Sequence, residues 1–102
     1  MPVKTYVSIP TDIDALQWDG TEERARELIE FTSGQEGFRH RDAFYVLEGA
    51  QRIGRTYTAR LWVMANTDWL SLETGEWVAR DSAGFYPIKA DVFARKYREK
   101  FI

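Results

Sequence analysis

The run His40-Arg41-Asp42 is the segment of this chain whose residue types most directly suggest catalysis. The same three residue types occur in that order in the catalytic loop of protein kinases, where the aspartate accepts a proton. The chain has only 102 residues and no glycine-rich phosphate loop, so the context of a kinase is missing. His40 is the single histidine, and no catalytic triad can be assembled around it from the spacing. We therefore expect it to be an exposed side chain between two arginines.

The carboxylates are scattered along the chain rather than grouped at a catalytic spacing. Asp12 and Asp14 would share one face of a strand, whereas Glu22 and Glu23 begin a predicted helix, where a structural role suffices. No Walker loop or dinucleotide fingerprint is present, and no spacing indicates zinc or calcium. The absence of cysteine excludes thiol catalysis and disulfides. The sequence predicts a non-enzymatic protein with no catalytic residue, metal site or cofactor.

Large aromatic side chains, all but one of them in the second half of the chain, are the stronger functional signal. Core packing explains each ring taken singly, since one ring buries about 150–250 Å². Rings beyond the needs of the core would form either a stacking platform for single-stranded nucleic acid or a protein-binding hot spot. The rings in question are Trp18, Trp62, Trp69, Trp77, Phe85 and Tyr86. The candidate partner-binding residues are Arg60, Trp62, Trp69, Arg80, Arg95 and Arg98, together with a loop at 35–56.

Two helices are predicted from their capping residues. Thr21 is a suitable N-cap for a helix at about 22–33, because its hydroxyl can accept an amide proton of the first turn. Gly34 is a natural stop for that helix. Near the C-terminus Asp91 is expected to cap a short helix at about 91–98.

The remaining pattern is that of short strands separated by turn residues. An early extended stretch covers 3–9, and strands are predicted at 13–18, 38–41, 44–47, 56–64, 69–72, 76–80 and 85–86. Alternation within 56–64 places Tyr57, Ala59, Leu61 and Val63 on one face and Thr58, Arg60, Trp62 and Met64 on the other. The predicted fold is α+β, with a curved antiparallel sheet or a small β-barrel.

The length of the chain indicates one domain spanning 1–102. The net charge is −2, divided into −5 over residues 1–50 (five basic, ten acidic) and +3 over residues 51–102 (nine basic, six acidic). The basic excess of +3 in residues 51–102 is small for a nucleic-acid-binding domain. No apolar run approaches the roughly 18 residues of a membrane span, so we expect a cytoplasmic protein.

The chain resembles a small uncharacterised family of tailed-phage and prophage proteins, typical of phages of actinobacteria. The resemblance is strongest after residue 60 and weakest at about 35–56. Relatives commonly have aspartate at the position of Glu76 and proline at the position of Ala90. The shared segments are Gln17-Trp18-Asp19-Gly20, Leu61-Trp62-Val63-Met64-Ala65-Asn66, Trp69, Gly75-Glu76-Trp77-Val78-Ala79-Arg80-Asp81 and Gly84-Phe85-Tyr86-Pro87, followed by Lys89, Asp91, Phe93 and Tyr97.

The resemblance implies a phage accessory protein that acts in the cytosol of a host bacterium, and it supplies no catalytic residue. Together with the aromatic and basic residues, it favours binding to a host protein, with inhibition of host growth or of a defence system as the outcome. Two alternatives stay open: a single-stranded nucleic-acid-binding protein, and a virion or assembly component that associates with itself through exposed strand edges.

Overall fold

The structure, a computed structural model, describes residues 3–6, 12–35, 38 and 41–100. In these residues six strands and two helices form an α+β fold, as predicted, and the strands do not close into a barrel. In chain order the elements are β1 (Asp14–Gln17), α1 (Glu22–Phe31), β2 (Phe44–Val46), β3 (Tyr57–Val63), β4 (Asp68–Glu73), β5 (Trp77–Asp81), β6 (Gly84–Ile88) and α2 (Ala90–Lys96).

The strands form two antiparallel sheets of three strands each, in the orders β1-β5-β6 and β2-β3-β4. The division falls at the turn after β4, where the end of β1 takes part in the hydrogen bonding. The amide of Gly75 donates to the carbonyl of Trp18 (2.6 Å), and the amide of Trp18 donates to the carbonyl of Glu76 (2.9 Å). Because β5 is paired with β1 and β6, it does not continue the sheet that ends at β4.

The core lies between the inner faces of the two sheets and helix α1. Leu28 of α1, Phe44 of β2, Leu61 of β3 and Val78 of β5 are fully buried in it. Trp18 joins them, and its indole N–H donates to the hydroxyl of Thr58 over 2.9 Å. The core is thus built by alternate strand residues and one helix face, as the hydrophobic pattern predicts. The predicted alternation is wrong at the start of β3, where a β-bulge between Tyr57 and Ala59 leaves Tyr57 exposed and Thr58 buried.

Helix α1 begins where the sequence predicts and ends two residues early. The hydroxyl of Thr21 accepts the amide of Arg24 (3.1 Å), which satisfies one of the unpaired donors of the first turn. At the other end the helix stops at Phe31. The next residue, Thr32, is buried and donates its hydroxyl to the carbonyl of Leu28 (2.8 Å), so a local side-chain bond accompanies the end of the helix.

Two of the predicted extended segments differ from the structure. Phe38 and Arg41 are not in a strand, and Arg39 and His40 lie outside the described residues. Residues 3–6 are irregular, and the rest of the predicted stretch at 3–9 lies outside the described residues as well. The other strands match their predicted positions to within two residues.

Helix α2 covers the outer face of the β1-β5-β6 sheet. Its Phe93 stacks on Trp77 of β5 with ring centroids 3.9 Å apart, and Tyr97 stacks on Phe93 at 5.2 Å. The predicted cap is wrong: the N-cap is Lys89, without a side-chain hydrogen bond, and Asp91 lies in the first turn. The helix starts one residue early and ends at Lys96, which leaves residue 98 beyond it. In the described part of the chain, neither helix has the length and apolar character needed to cross a bilayer.

Candidate functional site

The outer face of the β2-β3-β4 sheet brings together three of the predicted contact residues. Alternation along β3 turns Ala59 and Leu61 into the core and Arg60 and Trp62 outward. The register places Trp62 directly opposite Trp69 of β4. Half-buried rings and an exposed arginine therefore share one face of this sheet.

Two further rings complete this surface. Tyr45 of β2 lies opposite Arg60, and its ring meets Trp69 edge to face with centroids 4.9 Å apart. Phe38 packs on the two tryptophans, at 5.5 Å from Trp62 and 6.2 Å from Trp69. We name this set of Phe38, Tyr45, Arg60, Trp62 and Trp69 the aromatic face.

Polar contacts hold the side chains of the aromatic face in place. The Trp62 indole N–H donates to the thioether sulfur of Met64 (2.8 Å), a weak acceptor. A guanidinium N–H of Arg60 donates to the hydroxyl of Tyr45 (3.4 Å). The two tryptophan rings meet at 5.5 Å and an interplanar angle of 73°, an edge-to-face arrangement worth about 0.5–1.5 kcal/mol beyond burial. These contacts set the orientation of the rings and of the guanidinium relative to one another.

The other predicted contact residues lie elsewhere. Arg80 lies on β5 of the other sheet, paired with Asp14 (2.6 Å) and stacked over the ring of Phe31 at 4.9 Å. Arg95 is exposed on α2, where its guanidinium is 4.0 Å from the carboxylate of Asp91, and Arg98 is exposed after the helix. The structure therefore does not gather the predicted arginines into one basic surface.

The remaining aromatic residues belong to the interior or to the interface with α2. Trp18 is 1% exposed and Phe85 is 8% exposed. Trp77 is half-buried beneath Phe93 of α2. Tyr86 is also half-buried, and burial, followed by the nearby Asp81, raises its pKa to about 12. Packing in the core or against α2 explains these rings. It does not explain Trp62 and Trp69, which lie in the aromatic face.

A buried carboxylate forms the other notable electrostatic feature. Glu76, 4% exposed, accepts the backbone amide of Glu73 and lies 3.5 Å from the ammonium of Lys89. Burial alone would lower the pKa of Lys89, but the charges of Glu76 and Glu73 outweigh it and raise that pKa above its ordinary value. This contact ties the turn before β5 to the start of α2, which is a structural role.

The described residues contain no group of three or more acidic or histidine side chains positioned to hold a metal ion. His40, which the sequence predicts to be an exposed side chain, lies outside those residues.

Sequence reasoning missed two members of the aromatic face. Tyr45 could have been found from alternation, since its neighbours Phe44 and Val46 face the core and it must face outward. Phe38 carried no such signal because it lies in irregular backbone. Comparison of the chain with protein-family models, curated proteins and solved structures found no match.

Proposed function

We propose that this chain is a phage accessory protein that binds a protein of its bacterial host through the aromatic face and modulates or inhibits it. The supporting observation is the convergence of Arg60, Trp62 and Trp69 on one sheet face with Tyr45 and Phe38. Tryptophan, tyrosine and arginine are the residues that contribute most binding energy at protein interfaces. The phage origin rests on the sequence resemblance alone.

The ring geometry favours a protein partner over a nucleic acid. Trp62, Trp69 and Tyr45 pack edge to face on one another, whereas a stacking platform needs ring faces available to successive bases. Within the described residues the aromatic face contains one cation, Arg60, and nucleic-acid binding draws its affinity from several phosphate contacts. A half-buried aromatic cluster beside one arginine fits the hot spot of a protein interface better.

The test is affinity capture from host lysate with matched arginine variants. Arg60→Ala removes the exposed arginine of the aromatic face, and Arg95→Ala removes an exposed arginine of α2 as the control. The wild type and Arg95→Ala should retain a common host protein that Arg60→Ala and Trp62→Ala retain weakly. Truncation of a hot-spot residue costs about 2 kcal/mol or more, roughly a thirtyfold loss of affinity. Capture of no host protein, or equal capture by all four, would contradict the proposal.

Single-stranded nucleic-acid binding is the second candidate, because aromatic residues beside an arginine on a sheet face are also typical of such proteins. It predicts that a labelled oligonucleotide gains fluorescence anisotropy at low salt and that the gain disappears as salt is added. Trp69→Ala should reduce the signal. An oligonucleotide whose anisotropy is unchanged at micromolar protein removes this candidate.

A further inference from the structure

The edge of β2 beside helix α1 differs from the other sheet edges. In an antiparallel sheet, alternate residues of an edge strand point their N–H and C=O groups away from the neighbouring strand. Such groups can pair with another chain unless the protein blocks them. The edges here are β1 and β6 in one sheet and β2 and β4 in the other.

On β4, side-chain carboxylates occupy two of the outward backbone amides. The outward amide of Trp69 donates to the carboxylate of Asp68 (2.7 Å), and the outward amide of Glu73 donates to Glu76. Between them, Ser71 is exposed and keeps an outward amide. One open donor between two occupied ones cannot support a continuous ladder.

The two edges of the other sheet carry different obstacles. On β1 the outward carbonyl of Gln17 accepts a guanidinium N–H of Arg24 at 2.6 Å. On β6 the register places Pro87 at an outward position, where it has no N–H to offer. Each of these edges therefore lacks part of the hydrogen-bonding row that an added strand needs.

The alternation along β2 follows from two bonds at its ends. The carbonyl of Ala43 accepts the amide of Trp62 (2.8 Å), and the amide of Leu47 donates to the carbonyl of Thr58 (2.9 Å). The backbone N–H and C=O groups of residues 43, 45 and 47 thus point toward β3. Val46 must then turn its N–H and C=O away from the sheet.

The accessible part of this edge is short. The backbone groups of Phe44 also point away from β3, but this residue is completely buried. The outward backbone groups that another chain can reach therefore begin at Val46 and continue at Glu48. No hydrogen bond among the described residues reaches the backbone amide of Glu48 or the outward groups of Val46. The β2 edge is the one edge without a side-chain block or a proline in the described part of the chain.

A groove of about 780 Å³ runs along this open edge, between α1 and residues 45–52. Ala25 and Ile29 of α1, with Val46 and the buried Trp18, supply apolar surface within it. A strand that bonds to Val46 would point alternate side chains at this apolar surface. The groove therefore combines the two requirements of strand addition, open backbone groups and a place for every second side chain.

The charges around the groove select the kind of occupant. Glu22 and Arg26 of α1 lie on one side, and Glu48 and Arg52 lie on the other. None of the four forms an ion pair with another described residue. Two acids and two bases would repel a phosphate backbone as much as they attract it. They are complementary to a neutral, dipolar peptide backbone with mixed side chains.

We propose that the groove beside β2 binds an extended segment of a partner polypeptide, which adds to the β2-β3-β4 sheet as a fourth strand. Its backbone bonds to the N–H and C=O of Val46 and to the N–H of Glu48. This inference goes beyond the proposed function, because it concerns the edge of the sheet rather than the aromatic face. The two sites share Tyr45 alone.

The experiment uses random linear peptides displayed on yeast as the probe. We expect enrichment of peptides with apolar residues at alternate positions, and perturbation of the Val46 and Glu48 amide resonances when a selected peptide is added. Methylation of the peptide's backbone nitrogens, one at a time, should weaken binding at one position, the amide that donates to the carbonyl of Val46, and have less effect at the two neighbouring nitrogens, which point away from β2. Each lost backbone hydrogen bond should weaken binding roughly tenfold.

Matched proline variants test the site on the protein itself. Val46→Pro removes an outward amide of β2, and Ser71→Pro removes an outward amide of β4 as the control. Val46→Pro should weaken peptide binding roughly tenfold, whereas Ser71→Pro and Trp62→Ala should leave it unchanged. The methylation series uses the wild-type protein, so it decides the question even where a proline variant does not fold.

Three outcomes would overturn the inference: no peptide enriched, a methylation series in which no single nitrogen is more sensitive than its two neighbours, or equal effects of the two proline variants. A dimer of the protein that Val46→Pro dissociates would identify a second copy as the occupant and would also overturn it. Loss of peptide binding leaves host-protein capture through Trp62 untouched, so the two proposals fail separately.

Discussion

Replacement of Thr58 by valine tests how the core holds its largest side chain. The indole N–H of the buried Trp18 donates to the Thr58 hydroxyl at 2.9 Å. Valine has nearly the same shape as threonine and cannot accept that proton. The substitution therefore leaves a buried donor without a partner, while the packing volume is conserved.

The magnitude follows from which groups lose a partner. A buried unsatisfied donor costs about 1–3 kcal/mol. The Thr58 hydroxyl also bonds to the hydroxyl of Thr74 (2.8 Å), but Thr74 is exposed and can turn to water or to Gln51, which it already contacts at 3.2 Å. One orphaned group remains, so we expect a loss of about 2 kcal/mol. At about 4–8 °C per kcal/mol for a domain of this size, Tm should fall by roughly 8–16 °C.

The assay is urea unfolding followed by tryptophan fluorescence and far-UV circular dichroism. Thr56→Val, at an exposed threonine just before β3, is the matched control and should change the free energy of unfolding by less than about 0.5 kcal/mol. In a double-mutant cycle, Trp18→Phe combined with Thr58→Val should cost less than the sum of the two single changes, because phenylalanine has no donor to orphan. If Thr58→Val matches Thr56→Val, or if the cycle is additive, the buried hydrogen bond does not stabilise the core as argued.

Three further predictions concern the helix ends and the charged groups. Thr21→Ala should lower the free energy of unfolding by about 1 kcal/mol, because it removes the hydroxyl that caps α1; Thr67→Ala, at an exposed turn threonine, is the control for urea melts. Lys89→Met should destabilise the protein because it leaves the buried Glu76 without its cation, and the loss should shrink when Glu76→Gln is added; an additive pair of changes would contradict this. The raised pKa of Tyr86, about 12, means that the folded state keeps its phenol proton after the unfolded chain has lost it. Stability should therefore fall by about 2–3 kcal/mol as pH rises from about 10 to about 12. Tyr86→Phe should flatten that part of the pH profile in chemical melts, and an unchanged slope would refute the assignment.

The local elements of the fold could be predicted from the sequence because their signals lie within a few residues. Thr21 and the acidic residues after it mark the start of α1, and alternation marks the core face of β3 from Ala59 to Val63. The bulge before Ala59, which exposes Tyr57 and buries Thr58, has no such local signal. The cap of α2 could not be predicted in this way. Asp91 is a good capping residue in isolation, but the N-cap lies two residues earlier, at Lys89. Lys89 is held there by Glu73 and Glu76 from another part of the fold.

The candidate sites depend on contacts between distant parts of the chain. Arg60 and Arg80 look equivalent in the sequence, yet pairing of β5 with β1 brings Arg80 to Asp14, while Arg60 reaches Tyr45. Val46 carries no sequence signal of an open edge, because that property depends on which neighbours the other strands acquire. The phage resemblance and the host partner stay predictions.

Composition, spacing and capping residues by themselves determined that this chain makes short strands and one well-capped helix, and which strand residues share a face outside the bulge at the start of β3. Only the tertiary structure decided which faces α1 and α2 cover, which edges are blocked and which rings are left half-exposed. The physical reason is that helix caps and strand alternation are set by neighbours in the chain. Strand pairing and burial depend instead on the free energy of contacts between residues far apart in it.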